Sequence, residues 1–165
     1  MRRRPLALAN WKMAMTVAEG LAFVRDLRKA LGEAAQAVDV VICPPYTALY
    51  PLAQALKDVP LPISLGAQDV HWADDPAFTG EVSAPLLADV GCEWVMLGHW
   101  ERRRYRDEDD EVVNRKAHAA LAAGLRPILL IGEARDEAEV FHSSLAGQLS
   151  RLLICLLYTS PSPRD

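Results

Sequence analysis

Apolar residues along this chain follow two alternating rhythms. Short apolar runs recur, and between them lie stretches whose apolar positions are three or four residues apart. The runs Leu6–Asn10, Val38–Cys43, Ile63–Ala67, Trp94–Leu97 and Pro127–Ile131 read as strands covered on both faces, because they are nearly continuous rather than alternating. Thr16–Leu31 carries Val17, Leu21, Val24, Leu27, Ala30 and Leu31 at helical spacing, with Thr16 a candidate N-cap and Gly32 a stop. Further helices are expected over Thr47–Leu56, over Glu81–Val90 before Gly91, over Asp107–Ala123 before Gly124, and from Asp136 towards Leu153. Strands separated by amphipathic helices predict βα units and a parallel sheet. An open doubly wound sheet and a barrel both satisfy that pattern. No glycine-rich dinucleotide loop follows the first strand; Asn10-Trp11-Lys12-Met13 stands there instead.

Composition narrows the classes of function. The 165 residues suit one domain of ordinary size. With 18 basic and 22 acidic residues the formal net charge is −4, and no basic block exists, which argues against a general binder of nucleic acid or anionic membranes. Hydrophobic residues make up 51% and charged residues 24%, which fits a folded globular chain. No apolar run approaches the ~18 residues of a membrane span. The basic start Met1-Arg2-Arg3-Arg4-Pro5 lacks the apolar stretch of a signal peptide. Cys43, Cys92 and Cys155 are odd in number and far apart, so they fit neither a disulfide framework nor a zinc site and suit a reducing cytoplasm.

Polar residues gather just past the strand ends: Asn10 and Lys12, Gln68 and Asp69, His99 and Glu101, and Glu133. In a β/α barrel those positions share the rim that holds active sites. A cation at Lys12 can hold a phosphate or an enolate-like oxyanion, although a solvated lysine would look the same in isolation. His99 lies just before an expected helix start at Glu101. The positive end of a helix disfavours a second proton on an imidazole there, and a neutral imidazole can polarise a carbonyl by donating a hydrogen bond. His71, His118 and His142 have no such setting and read as surface or packing residues. Glu101–Lys116 holds six basic and six acidic residues, a balance that predicts a solvated, ion-paired helix surface.

Several segments together resemble the triosephosphate isomerase family. Asn10-Trp11-Lys12-Met13 is similar to its first-strand motif. Gly66-Ala67-Gln68-Asp69 followed by Ala77-Phe78-Thr79-Gly80-Glu81-Val82-Ser83 is similar to its third loop. Leu97-Gly98-His99 with Glu101-Arg102-Arg103 is similar to its histidine motif, and Ile131-Gly132-Glu133 to the end of its fifth strand. The resemblance runs from about Pro5 to Leu153. It implies an α/β fold, a TIM (β/α)8 barrel truncated after about five of the eight units of a ~250-residue domain.

The family interconverts dihydroxyacetone phosphate and glyceraldehyde 3-phosphate through an enediolate, with neither cofactor nor metal. By motif, the resemblance implies that Asn10 and Lys12 bind substrate and that His99 is the electrophile moving protons between the substrate oxygens. It makes Glu101 a buried partner ordering Lys12, and sends the loop around Thr79 into the neighbouring subunit of a cytoplasmic homodimer. Trp100 departs from the family's usual serine, Ala14 from asparagine and Leu130 from cysteine. The family's catalytic glutamate, lid and phosphate loops fall beyond Leu153, so the chain as it stands is expected to be inactive and to fold poorly with open sheet edges. Residues 155–165, CLLYTSPSPRD, are similar to a translated sequencing adapter. Residues 1–154 are therefore expected to be the N-terminal part of one barrel domain and 155–165 a non-native tail; a short natural Ser/Pro tail is the alternative. A non-catalytic barrel homologue, suggested by Trp100, and an isomerase of another sugar phosphate remain as alternative functions.

Overall fold

The computed structural model describes residues 4–31, 37–57, 62–73, 77–132 and 146–150. In chain order the elements are β1 (Leu6–Asn10), α1 (Val17–Leu31), β2 (Asp39–Cys43), α2 (Tyr46–Leu56), β3 (Ile63–Ala67), α3 (Ala84–Asp89), β4 (Cys92–Leu97), α4 (Trp100–Arg106), α5 (Asp110–Ala122) and β5 (Arg126–Leu129). Residues 146–150 are also helical, inside the last helix expected from the sequence. All pairings are parallel and the strand order is β1-β2-β3-β4-β5. A doubly wound sheet reverses its order at a switch point. This one never does, and the five strands form a curled α/β half-barrel. The sequential order places every strand's C-terminal end on one rim.

Strand residues alternate between two cores, as the period of two requires. Outward-facing Ile42, Leu65, Val95 and Leu97 pack under helix residues Val24, Leu52, Leu87 and Val113. Inward-facing Val41, Cys43 and Met96 form a smaller cluster with Trp94 and Leu130. Each fully buried aliphatic side chain contributes about 1.5–3 kcal/mol. Exposed ion pairs such as Lys29–Asp26 contribute about 0–1 kcal/mol, so the outer apolar layer holds the helices in place.

Several boundaries differ from those read in the sequence, each for a local reason. β4 begins at Cys92 rather than Trp94. Leu65 pairs with Cys92 and Gly66 with Trp94, so Glu93 is an extra residue, a β-bulge that disturbs the apolar rhythm. Glu81–Ser83 is extended rather than helical: His71 N–H donates to the Val82 carbonyl at 2.8 Å, and a parallel bridge joins His71 to Ser83. The expected helix over 107–123 begins only at Asp110. Asp107 takes a left-handed backbone (φ 52°) that ends α4, and the Asp109 carboxylate accepts from Val112 N–H to start α5. β5 runs from Arg126 to Leu129. Thr16 caps α1 as expected, its hydroxyl and the Glu19 carboxylate exchanging hydrogen bonds with each other's backbone N–H. Gly32, Glu133, His142 and residues 155–165 lie outside the described residues.

Gly98 follows β4 with φ 76°, and a Cβ there would stand 2.9 Å from the Leu130 carbonyl oxygen. Gly98→Ala should therefore cost about 2–5 kcal/mol, from a left-handed L-residue and an overpacked strand end. Urea unfolding measures the loss; a change under about 1 kcal/mol would contradict this reading.

Candidate active site

The rim residues are set by backbone geometry before their side chains meet. After β1 the Asn10 side chain accepts a hydrogen bond from Lys12 N–H at 2.8 Å, a local turn that holds Lys12 at φ 52°. A left-handed lysine costs about 1–2 kcal/mol, so the surroundings must impose it. Two neighbours do so. Trp11 is buried, its indole so close to α1 that a Cβ on Gly20 would meet it at 2.9 Å. From β3, the Gln68 amide donates to the Lys12 carbonyl (2.8 Å) and the Cys43 carbonyl (2.9 Å), tying three strand ends together.

His99 and Glu101 come from the turn between β4 and α4. His99 is the residue preceding α4, and its Nδ1 accepts from Glu101 N–H at 3.3 Å. Glu101 Oε1 accepts from Lys12 Nζ at 2.6 Å, and its Oε2 lies 3.2 Å from His99 Nδ1. These contacts ask opposite things of Nδ1, since an amide hydrogen needs a lone pair there and a carboxylate favours a proton. The amide hydrogen is fixed in place, whereas the carboxylate's charge already faces Lys12. The amide therefore decides, and the ring's hydrogen belongs on Nε2, free to point into the site.

The hydrogen bond from Lys12 holds the Glu101 carboxyl below the usual carboxylate range; slight burial opposes this, and the Lys12 charge reinforces it. The expectation of a buried Glu101 is corrected: its side chain is 35% exposed, because α4 starts at the open rim. Trp100 is 55% exposed, with its ring 6.0 Å from that of Tyr105 and 6.4 Å from the His99 imidazole. Cys43 is no nucleophile: burial, reinforced by nearby Cys92, pushes its thiol up to about 12. Among the described residues no group of three or more His, Cys, Asp or Glu is placed to hold a metal ion. Asn10, Lys12, His99 and Glu101 thus meet at one end of the sheet. Thr79 is exposed in the turn after Phe78, and among the described residues no hydrogen bond or ion pair joins it to them.

The family model for triosephosphate isomerase matches residues 5–157. The chain belongs to the triosephosphate isomerase family. It is 49% identical over 137 residues to the triosephosphate isomerase of Chloroflexus aurantiacus, covering 83% of this chain and 54% of that protein. The Herpetosiphon aurantiacus triosephosphate isomerase is 45% identical over 149 residues, covering 89% and 58% respectively. The crystal structure of the Bartonella henselae triosephosphate isomerase superposes with a TM-score of 0.80 at 32% identity, covering 91% of this chain and 62% of that one. The chain thus spans about half the length of the curated triosephosphate isomerases it matches. No helix among its described residues is long and apolar enough to cross a membrane.

One group near the rim escapes the sequence reading. Lys116 and Glu108 lie in the run expected to be solvated, yet they are 1% and 6% exposed. Lys116 Nζ reaches Asp69 Oδ1 (2.7 Å), Asp69 Oδ2 (2.8 Å) and Glu108 Oε1, and Arg102 joins both acids. A signal existed: Val113, Ala117 and Ala120 mark the buried face of α5, and Lys116 falls on it. A lysine there must be paired.

The Lys12–Glu101 pair sets a titration. Glu101 is more acidic folded than unfolded, so its contribution to stability is present above its unfolded pKa and is lost as pH falls through the folded one. Solvent screening keeps that contribution small. Lys12→Met should raise the Glu101 pKa towards the ordinary carboxylate range, read by carboxyl carbon chemical shifts across pH. A Glu101 titration unmoved by the substitution would exclude Lys12 as the cause.

Proposed function

We propose that this chain is the N-terminal part of a triosephosphate isomerase, interconverting dihydroxyacetone phosphate and D-glyceraldehyde 3-phosphate once the rest of the barrel is present. The observation that carries the reading is the Lys12–Glu101–His99 arrangement on the C-terminal rim, in a chain of that family. Lys12 supplies an ammonium for the substrate's negative charge, and Asn10 holds the turn that aims it. His99 acts as the electrophile. Its Nε2–H donates to the substrate oxygen that gains charge as a carbon-bound proton leaves, and the ring then moves protons between the two oxygens of the enediolate. Glu101 orders Lys12 and closes the third side. The base that removes the carbon-bound proton is a glutamate beyond Leu153, as the family resemblance implies, so the 165-residue chain alone is inactive.

The rest of the reading follows the family. Residues 1–154 are one part of a single barrel domain, and 155–165 are a non-native tail. Thr79 is the tip of a loop that enters the site of a second subunit in a cytoplasmic homodimer, and its exposed turn suits that role.

The test is a coupled assay on triose phosphates with the protein extended to its natural full length. Turnover is expected, with His99→Gln lowering kcat by ~10²–10⁴-fold and KM changing far less. No turnover by the full-length protein, or full activity of His99→Gln, would contradict the assignment.

A further inference from the structure

Asp69 stands where two supports of the rim converge. Its chain neighbour Gln68 holds the Lys12 and Cys43 carbonyls. Its own carbonyl accepts from the Tyr46 hydroxyl at 2.7 Å, which fixes its backbone against α2. Its carboxylate, 6% exposed, takes Lys116 Nζ on both oxygens and Arg102 Nη2 at 2.7 Å on Oδ2. Arg102 belongs to the first turn of α4, and its N–H donates to the His99 carbonyl at 2.9 Å. Glu108 completes the group, accepting from Arg102 Nε at 2.8 Å and from Lys116. Two cations and two anions balance, with Arg102 one-third exposed at the edge of the cluster.

These contacts make one rigid path. From Lys12 it runs through Gln68 to Asp69, then across the ion pair to Arg102, and so to the turn that carries His99 and Glu101. The direct Lys12–Glu101 contact is half exposed and joins two flexible side chains. That path is the stiffer link, because Asp69, Glu108 and Lys116 are buried and hydrogen-bonded to one another, while Arg102, one-third exposed, is held by both acids.

We propose that Asp69 and Lys116 are positioning residues for the site: with Arg102 they fix the separation between Lys12 and the His99 imidazole, although neither touches substrate. The proposal rests on the isomerase reading for its kinetic consequence alone. A misplacement of about 1 Å can lower a rate by ~10²-fold.

Breaking one buried charge could unfold the protein, so the informative variant removes one of each sign. Asp69→Asn with Lys116→Met leaves the Arg102–Glu108 pair balanced while cutting the path. In the full-length protein it should lower kcat at least tenfold, leave KM within about threefold, and shift the His99 ring carbon resonance at neutral pH. Leu52→Ala, a buried α2 residue away from the rim, serves as the control for lost stability alone. It should lower the melting temperature with kcat and the His99 resonance unchanged. If the double variant does not fold, Arg102→Lys keeps the charge and loses the forked contact, and the same kcat loss and shift are expected. A folded variant with unchanged kcat and an unmoved His99 resonance overturns the proposal. If the unaltered protein shows no turnover, the isomerase reading fails, and the His99 resonance still decides whether the cluster positions the ring.

Discussion

The carboxylate of Glu101 joins two residues that the chain separates widely. Lys12 lies 89 residues earlier, past the first strand, and His99 sits at the end of the fourth. One oxygen holds the ammonium at 2.6 Å and the other lies 3.2 Å from the imidazole. That contact is possible only because β1 to β4 are parallel and run in sequential order, so both strand ends reach the same rim. The fold's contribution to chemistry is this convergence. The contact is exposed and weak by itself, so its geometry depends on the rigidity of the two backbones that carry it.

Rigidity comes from strain held in place by packing. Lys12 with φ 52° and Gly98 with φ 76° flank the site, one in each supporting turn. The lysine conformation is strained and needs its surroundings, whereas glycine adopts a positive φ without strain. At Lys12 it is imposed by the Asn10 side chain, the Gln68 clamp and the buried Trp11. At Gly98 it follows from the close approach of the Leu130 carbonyl and from Arg103 Nε–H, which donates to the Gly98 carbonyl at 3.0 Å. The ion cluster behind the rim, buried except at Arg102, adds a second set of fixed contacts between the same turns.

The alternation of apolar runs and helical stripes made the α/β class legible, because buried parallel strands need continuous apolar residues on both faces. Barrel against open sheet was not legible from periodicity, since strand order is a long-range property that leaves no local trace. The bulge at Glu93 hid the start of β4, and the left-handed Asp107 hid the break before α5. The candidate residues Asn10, Lys12, His99 and Glu101 were visible because polar groups past strand ends are conspicuous after apolar runs. Their mutual distances were not. Lys116 was misread because its charge was weighed in the linear run rather than on the helical face it occupies.

The most direct test of the account is the tautomer of His99, which follows from the turn geometry without any assumption about substrate. Long-range proton–nitrogen correlation of the imidazole at neutral pH distinguishes the two neutral forms. The expected result is a hydrogen on Nε2, with Nδ1 accepting from the Glu101 amide. A ring protonated on Nδ1 and facing the Glu101 carboxylate would contradict it, because the nitrogen left to face the site could then accept but not donate.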